Sequence, residues 1–142
     1  MKKLVKMVMI GLLFIYTLTP VITYADDTKQ GKENFRRFCI SCHGVTGVGD
    51  GPVADSLKKK PADLTLLAKR SGGVFPTQHV IKTIDGRLMP EAHGNADMPV
   101  WGRWFAIQAL ADGVRQEDVQ IIELEVNRRL AGLVSYLKTL QK

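Results

Sequence analysis

The stretch Phe38-Cys39-Ile40-Ser41-Cys42-His43 constrains this chain more than any other. It holds the only two cysteines of the sequence, at i and i+3, with a histidine directly after the second. On a helix, residues three and four apart share a face, with Cβ atoms about 5–6 Å apart. Cys39, Cys42 and His43 then point the same way. Three uses of such a triplet are weak here. A disulfide across a two-residue loop removes little chain entropy. A redox-active C-x-x-C belongs beside a βαβ pattern, which the sequence lacks. A zinc site needs a fourth ligand, and three ligands within five residues strain a tetrahedron.

The use that fits is covalent attachment of haem, for which C-x-x-C-H is the c-type signature. Two thiols at this separation suit the two vinyl groups on one edge of a haem. The adjoining imidazole suits the iron. A glycine-rich run follows, with Gly44, Gly47, Gly49 and Gly51, then Pro52. Glycine permits unusual turns and close approach of backbone, so this loop is expected to wrap a flat macrocycle closely.

The rest of the chain reads as short helices and one long one, an all-α class. Lys29 to Cys42 is predicted helical, with Asp27 or Thr28 as N-cap. Val45 to Gly51 reads as a loop. Short helices are predicted at Val53–Lys59, Ala62–Lys69 and Pro76–Ile84, the last closed by Asp85-Gly86. Arg87 to Pro99 reads as an irregular loop, and a helix is predicted from Val100 or Trp101 to Ala111. The clearest element is Gln116 to Leu140. Ile122, Val126, Leu130, Leu133, Val134, Leu137 and Leu140 repeat at three-four spacing along one face. No segment alternates as a strand.

The first 25 residues read as a signal peptide or an uncleaved N-terminal anchor. Lys2, Lys3 and Lys6 precede an uncharged, largely apolar run from Met7 to Ala25. The working domain is then 26–142, placed in the periplasm or on the outer face of the inner membrane. Removing residues 1–25 takes three of the 20 lysines and arginines and none of the 14 acidic residues, so the net charge falls from +6 to +3. That carries no nucleic-acid signal. Lys58-Lys59-Lys60 reads as a solvated helix end, with a docking patch for an acidic partner as the other reading. A domain this small often leans on a disulfide, metal or cofactor.

From about Asp27 to Lys142 the chain resembles the class I c-type cytochromes, monohaem proteins exported by bacteria. Beyond Cys39 to His43, the resemblance rests on Gly31 and Phe35 of the first helix and Leu133 and Tyr136 of the last. In that family a small residue and an aromatic of the first helix cross an aliphatic and an aromatic of the last. The resemblance implies the cytochrome c fold, with short helices and loops around one haem. It further implies that Pro52 supplies the carbonyl for the far nitrogen of His43, a contact that fixes the ring.

For the second axial position, Met89 and Met98 both precede proline, which favours an extended backbone able to present a side chain from a loop. Met98-Pro99-Val100-Trp101-Gly102 resembles the family's ligand loop, which implies Met98 as distal ligand. His79 and His93 are the imidazole alternatives. Thioether ligation opposite histidine raises the reduction potential. Arg87, Trp101 and Arg103 are candidates for meeting the haem propionates.

The expected function is electron transfer by one covalent haem c between a redox protein donor and acceptor. The protein is then no enzyme by itself. It is a periplasmic carrier in a respiratory chain or the cytochrome subunit of a membrane-associated oxidoreductase. The alternative is a haem enzyme or gas sensor with an open or labile sixth iron position.

Overall fold

The computed structural model describes residues 25–87 and 98–142, and for Ala25 and Asp26 the backbone alone. Residues 1–24 of the signal segment, Met89 and His93 lie outside the described residues.

The described chain is all-α. Helix α1 spans Ala25–Phe38 and α2 Ile40–His43. Single 3₁₀ turns at Ala54–Ser56 and Leu64–Leu66 follow, the second running into α3, Leu67–Arg70. Then come α4, Thr77–Asp85, α5, Trp101–Ala111, and α6, Val119–Thr139. No described helix is long and apolar enough to cross a membrane.

Helices α1 and α6 cross at glycine. A methyl group on Gly31 would fall 1.9 Å from the carbonyl oxygen of Gly132, so only hydrogen fits. One turn on, the rings of Phe35 and Tyr136 lie 5.3 Å apart at 54°. Gly31, Phe35, Leu133 and Tyr136 therefore meet where the two terminal helices pack. The core beneath joins Phe35 to Val80 and Ile84 of α4, Phe105 of α5, and Val126, Leu130, Leu133, Val134 and Leu137 of α6. Burying each such side chain stabilises by about 1.5–3 kcal/mol. The predicted apolar face of the last helix supplies this core from Val126 to Leu137, with Ile122 buried beyond the cluster and Leu140 half-buried.

Four local expectations shift. The first helix begins by Ala25, so Asp27 and Thr28 lie inside it rather than capping it. It is interrupted at Cys39, a turn residue whose φ of −114° is stretched while its backbone (ψ −28°) stays in the right-handed helical region, and α2 follows directly. Val53–Lys59 condenses to the 3₁₀ turn Ala54–Ser56, so Lys58–Lys60 lie beyond a turn and not at a helix end. In Ala62–Lys69, Asp63 caps the turn instead, its carboxylate accepting from the Thr65 amide at 2.9 Å and hydroxyl at 2.6 Å.

Candidate functional site

Despite the break at Cys39, the three residues of the motif stay on one side. The amides of Cys42 and His43 both donate to the carbonyl of Cys39, at 3.2 and 2.8 Å. Both cysteines are free thiols and half-buried. Burial, and then the neighbouring Cys42, push the Cys39 thiol up to about 12, so it is protonated at neutral pH.

The glycine loop folds back on the end of α2. Gly49 donates to the carbonyl of His43 at 2.8 Å, Gly51 to Cys42 at 3.1 Å, and Val53 to Ser41 at 3.1 Å. These bonds satisfy carbonyls that a helix end leaves open. A methyl group on Gly51 would lie 2.3 Å from the Ser41 carbonyl oxygen. The close approach expected of this loop is thus made onto the protein's own backbone.

Pro52, between the donors of Gly51 and Val53, turns the chain across that helix end and is exposed. The carbonyl against His43 belongs elsewhere. Nδ1 of His43 lies 3.0 Å from the oxygen of Ala62. The segment after Pro61, rather than Pro52, brings a carbonyl to the ring in this structure. Since a carbonyl only accepts, Nδ1 carries the proton, and Nε2 of the neutral ring is left as a base. Burial pulls the His43 pKa below its ordinary value, and the Ala62 bond opposes this only in part.

Ala62 is itself held from two sides. Leu64 donates to the carbonyl of Gly47 at 2.7 Å. The Gln141 side chain accepts from Ala68 at 2.9 Å and donates to the carbonyls of Leu64 and Leu137, each at 2.8 Å. The last residues of the chain therefore brace the segment that carries the histidine's partner.

Two apolar cavities meet at the motif. One, of about 210 Å³, is bounded by Phe38, Cys42, Lys59, Lys60 and Trp101. The other, of about 220 Å³, is bounded by Phe35, Leu64, His79, Ile84 and Leu137. Cys39, His43, Ala62 and Met98 line both. Two thiols, an imidazole and a thioether thus face a common space. Among the described residues no three His, Cys, Asp or Glu side chains gather as a metal cage.

The outer candidates divide. Trp101 lines the first cavity and lies 5.5 Å from Phe38, ring to ring. Arg103 lines an outer groove with Trp104 and Ile107 instead. Arg87, a candidate for the propionates, is paired here with Asp85 and Glu123. His79, read as a surface or half-buried structural residue, has an exposed side chain that nevertheless borders the second cavity. Lys59 and Lys60 at the first cavity and the Ala62 carbonyl were missed. A backbone carbonyl leaves no trace in side-chain identity, and its one signal was the neighbouring Pro61. No protein-family model, curated protein or solved structure matches this chain.

Proposed function

We propose that this protein is a one-electron carrier holding a single covalent haem c in the cytochrome c fold, with His43 and Met98 as axial ligands. The observation that carries the reading is the shared cavity wall: Cys39, His43 and Met98 border both cavities, with Cys42 beside them. The residues present fit the group. The two free thiols are spaced for two vinyl carbons, and Nδ1 of His43 is occupied by Ala62, which leaves Nε2 for a metal. The two cavities together fall in the range of about 300–1,000 Å³ usual for cofactor sites.

When bound, haem supplies ferric–ferrous one-electron chemistry. Each residue then has a task. Cys39 and Cys42 hold the macrocycle as thioethers. Ala62 orients His43 and strengthens it as a donor. Met98 raises the potential relative to a second imidazole. Phe38, Trp101 and the core side chains keep water from the centre. With His43 and Met98 both holding the group, the protein would pass electrons between a donor and an acceptor protein and would turn over no substrate.

The test is spectroscopic. Protein matured in a bacterial periplasm should carry covalent haem and show the near-infrared methionine–iron band when oxidised. Met98→Ala should abolish the band and His79→Ala should leave it. A band that survives Met98→Ala moves the ligand to Met89. A wild-type protein without the band that binds carbon monoxide readily is an enzyme or sensor. A colourless protein overturns the haem reading.

A further inference from the structure

Arg87, the last described residue before Met98, belongs to a cluster outside the cavities. Arg87 donates from Nε and Nη2 to both carboxylate oxygens of Asp85, at 2.6 and 3.3 Å. It donates from Nη1 and Nη2 to both oxygens of Glu123 on α6, at 2.5 and 3.1 Å. Bidentate guanidinium–carboxylate pairs fix geometry more strongly than point contacts. The Asp85 and Arg87 side chains are largely sheltered, 19 % and 28 % exposed.

The same cluster closes on the chain just past Met98. A methyl group on Gly102 would lie 1.7 Å from Oδ1 of Asp85 and 2.6 Å from Nε of Arg87. A methyl group on Gly86 (φ +68°) would lie 3.4 Å from the Val100 Cα, at ordinary contact distance. Residues 85–87 therefore lie against residues 100–102, and Met98 stands just before that seam. Asp85 also sits beside the first turn of α5, which has no acidic residue or side-chain cap of its own. The positive end of a helix favours a carboxylate there.

We propose that Arg87, bridging Asp85 and Glu123 over the bare backbone of Gly102, is the positioning residue for Met98. It joins the entry of the 88–97 segment to its exit and anchors both to α6. This rests on the reading of Met98 as an axial ligand. Weakening the bridge lets the thioether leave the metal more often, and an external ligand then competes better in proportion to the open fraction.

The experiment uses holoprotein with Arg87→Met, Arg87→Lys, Glu123→Gln and Gly102→Ala. Arg115→Gln, which breaks the ion pairs with Glu117 and Asp118 instead, is the control. In Arg87→Met, Glu123→Gln and Gly102→Ala the near-infrared band should weaken, and imidazole should bind the ferric protein about tenfold more tightly. Arg87→Lys should recover part of the band. Arg115→Gln should change neither quantity, even at equal loss of Tm. Amide exchange at residues 100–104 should quicken in Arg87→Met. A wild-type band with an unchanged band, imidazole affinity and exchange rate in Arg87→Met and Glu123→Gln overturns the clamp alone. A wild type lacking the band overturns the Met98 assignment, and the clamp's role in ligation with it. Amide exchange then still reports whether the seam is held.

Discussion

Nδ1 of His43 and the carbonyl oxygen of Ala62 lie 3.0 Å apart, and this contact ties the end of α2 to the segment after Pro61. The loop of Ala62 is seated on the glycine loop. A methyl group on Gly49 would fall 2.4 Å from the carbonyl oxygen of Pro61, and Gly49 has φ +87°. Gly49→Ala should therefore strain the backbone and push the Pro61–Ala62 segment off the imidazole. The left-handed conformation alone costs a non-glycine residue about 1–2 kcal/mol. The urea midpoint should fall accordingly, and the haem-bound protein should show a raised potential, because His43 without its acceptor is the weaker donor and stabilises the ferric state less. An unchanged potential would mean that Ala62 does not tune the ring.

The helix crossing gives a ranked pair. Gly31→Ala places a methyl 1.9 Å from the Gly132 oxygen, backbone that cannot rotate away. Gly132→Ala meets the Asp27 oxygen at 2.8 Å, a milder conflict near the start of α1. Overpacking of this kind costs about 1–3 kcal/mol, and Gly31→Ala should lie at or above the top of that range. Equilibrium unfolding of both variants checks the order, and equal losses would contradict the crossing geometry.

How much of this was legible in the sequence depends on whether the cause was local. The long face from Ile122 to Leu137 was readable because six apolar residues repeat at one period, and α6 follows it. The α5 and α4 boundaries were readable from Gly113, Gly86 and the prolines. The Val53–Lys59 helix was not sustained, because its tail is three lysines with no apolar partner in the core. The site itself divides in the same way. Cys39, Cys42 and His43 are one local pattern, and a resemblance led to Met98, Gly31 and Phe35. The partner of His43 is a main-chain atom 19 residues away, and the partners of Arg87 converge only once α4 and α6 pack. The Ala62 carbonyl and Glu123 are written in no short window of the chain, so the sequence points to Pro52 only through the resemblance and leaves Arg87 open between a propionate and solvent.

Acid should loosen the α6 ion pairs in a defined order of sign. The Arg87 hydrogen bonds hold the Glu123 carboxyl below the usual carboxylate range, against a smaller opposing effect of burial. The Arg128 bonds do the same for Glu125. A carboxylate whose pKa is lowered by folding contributes stability that is fully present above its unfolded value and lost as pH falls through the folded value. Stability from these pairs should thus be constant near neutrality and decline below about pH 4.3, the ordinary glutamate pKa. Both pairs are partly solvated, so salt should weaken the effect. Urea unfolding against pH should show the decline, and Arg87→Gln should make it shallower. A slope identical in wild type and Arg87→Gln would show that Glu123 is not held by Arg87.

The last tie to the site runs through the end of the chain. Gln141 accepts from Ala68 and donates to Leu64 and Leu137, and the Lys142 amide donates to the Thr65 carbonyl at 3.1 Å. Gln141→Ala leaves one amide and two carbonyls to find water or remain unpaired. A single intramolecular hydrogen bond contributes about 0.5–1.5 kcal/mol net. Because the segment is half-buried and water can replace part of the loss, about 1–2 kcal/mol is expected in all. Gln141→Glu is the informative companion: it keeps an acceptor for Ala68 but loses the donor to Leu64 and Leu137. If the brace works as the geometry indicates, Gln141→Glu should fall between wild type and Gln141→Ala in stability when its carboxyl is neutral and can donate. It should drop towards Gln141→Ala, or below it, once ionised beside two carbonyls. Urea midpoints of the three proteins at acid and neutral pH decide this, and no separation between them would show that the chain end carries no part of the support for Ala62.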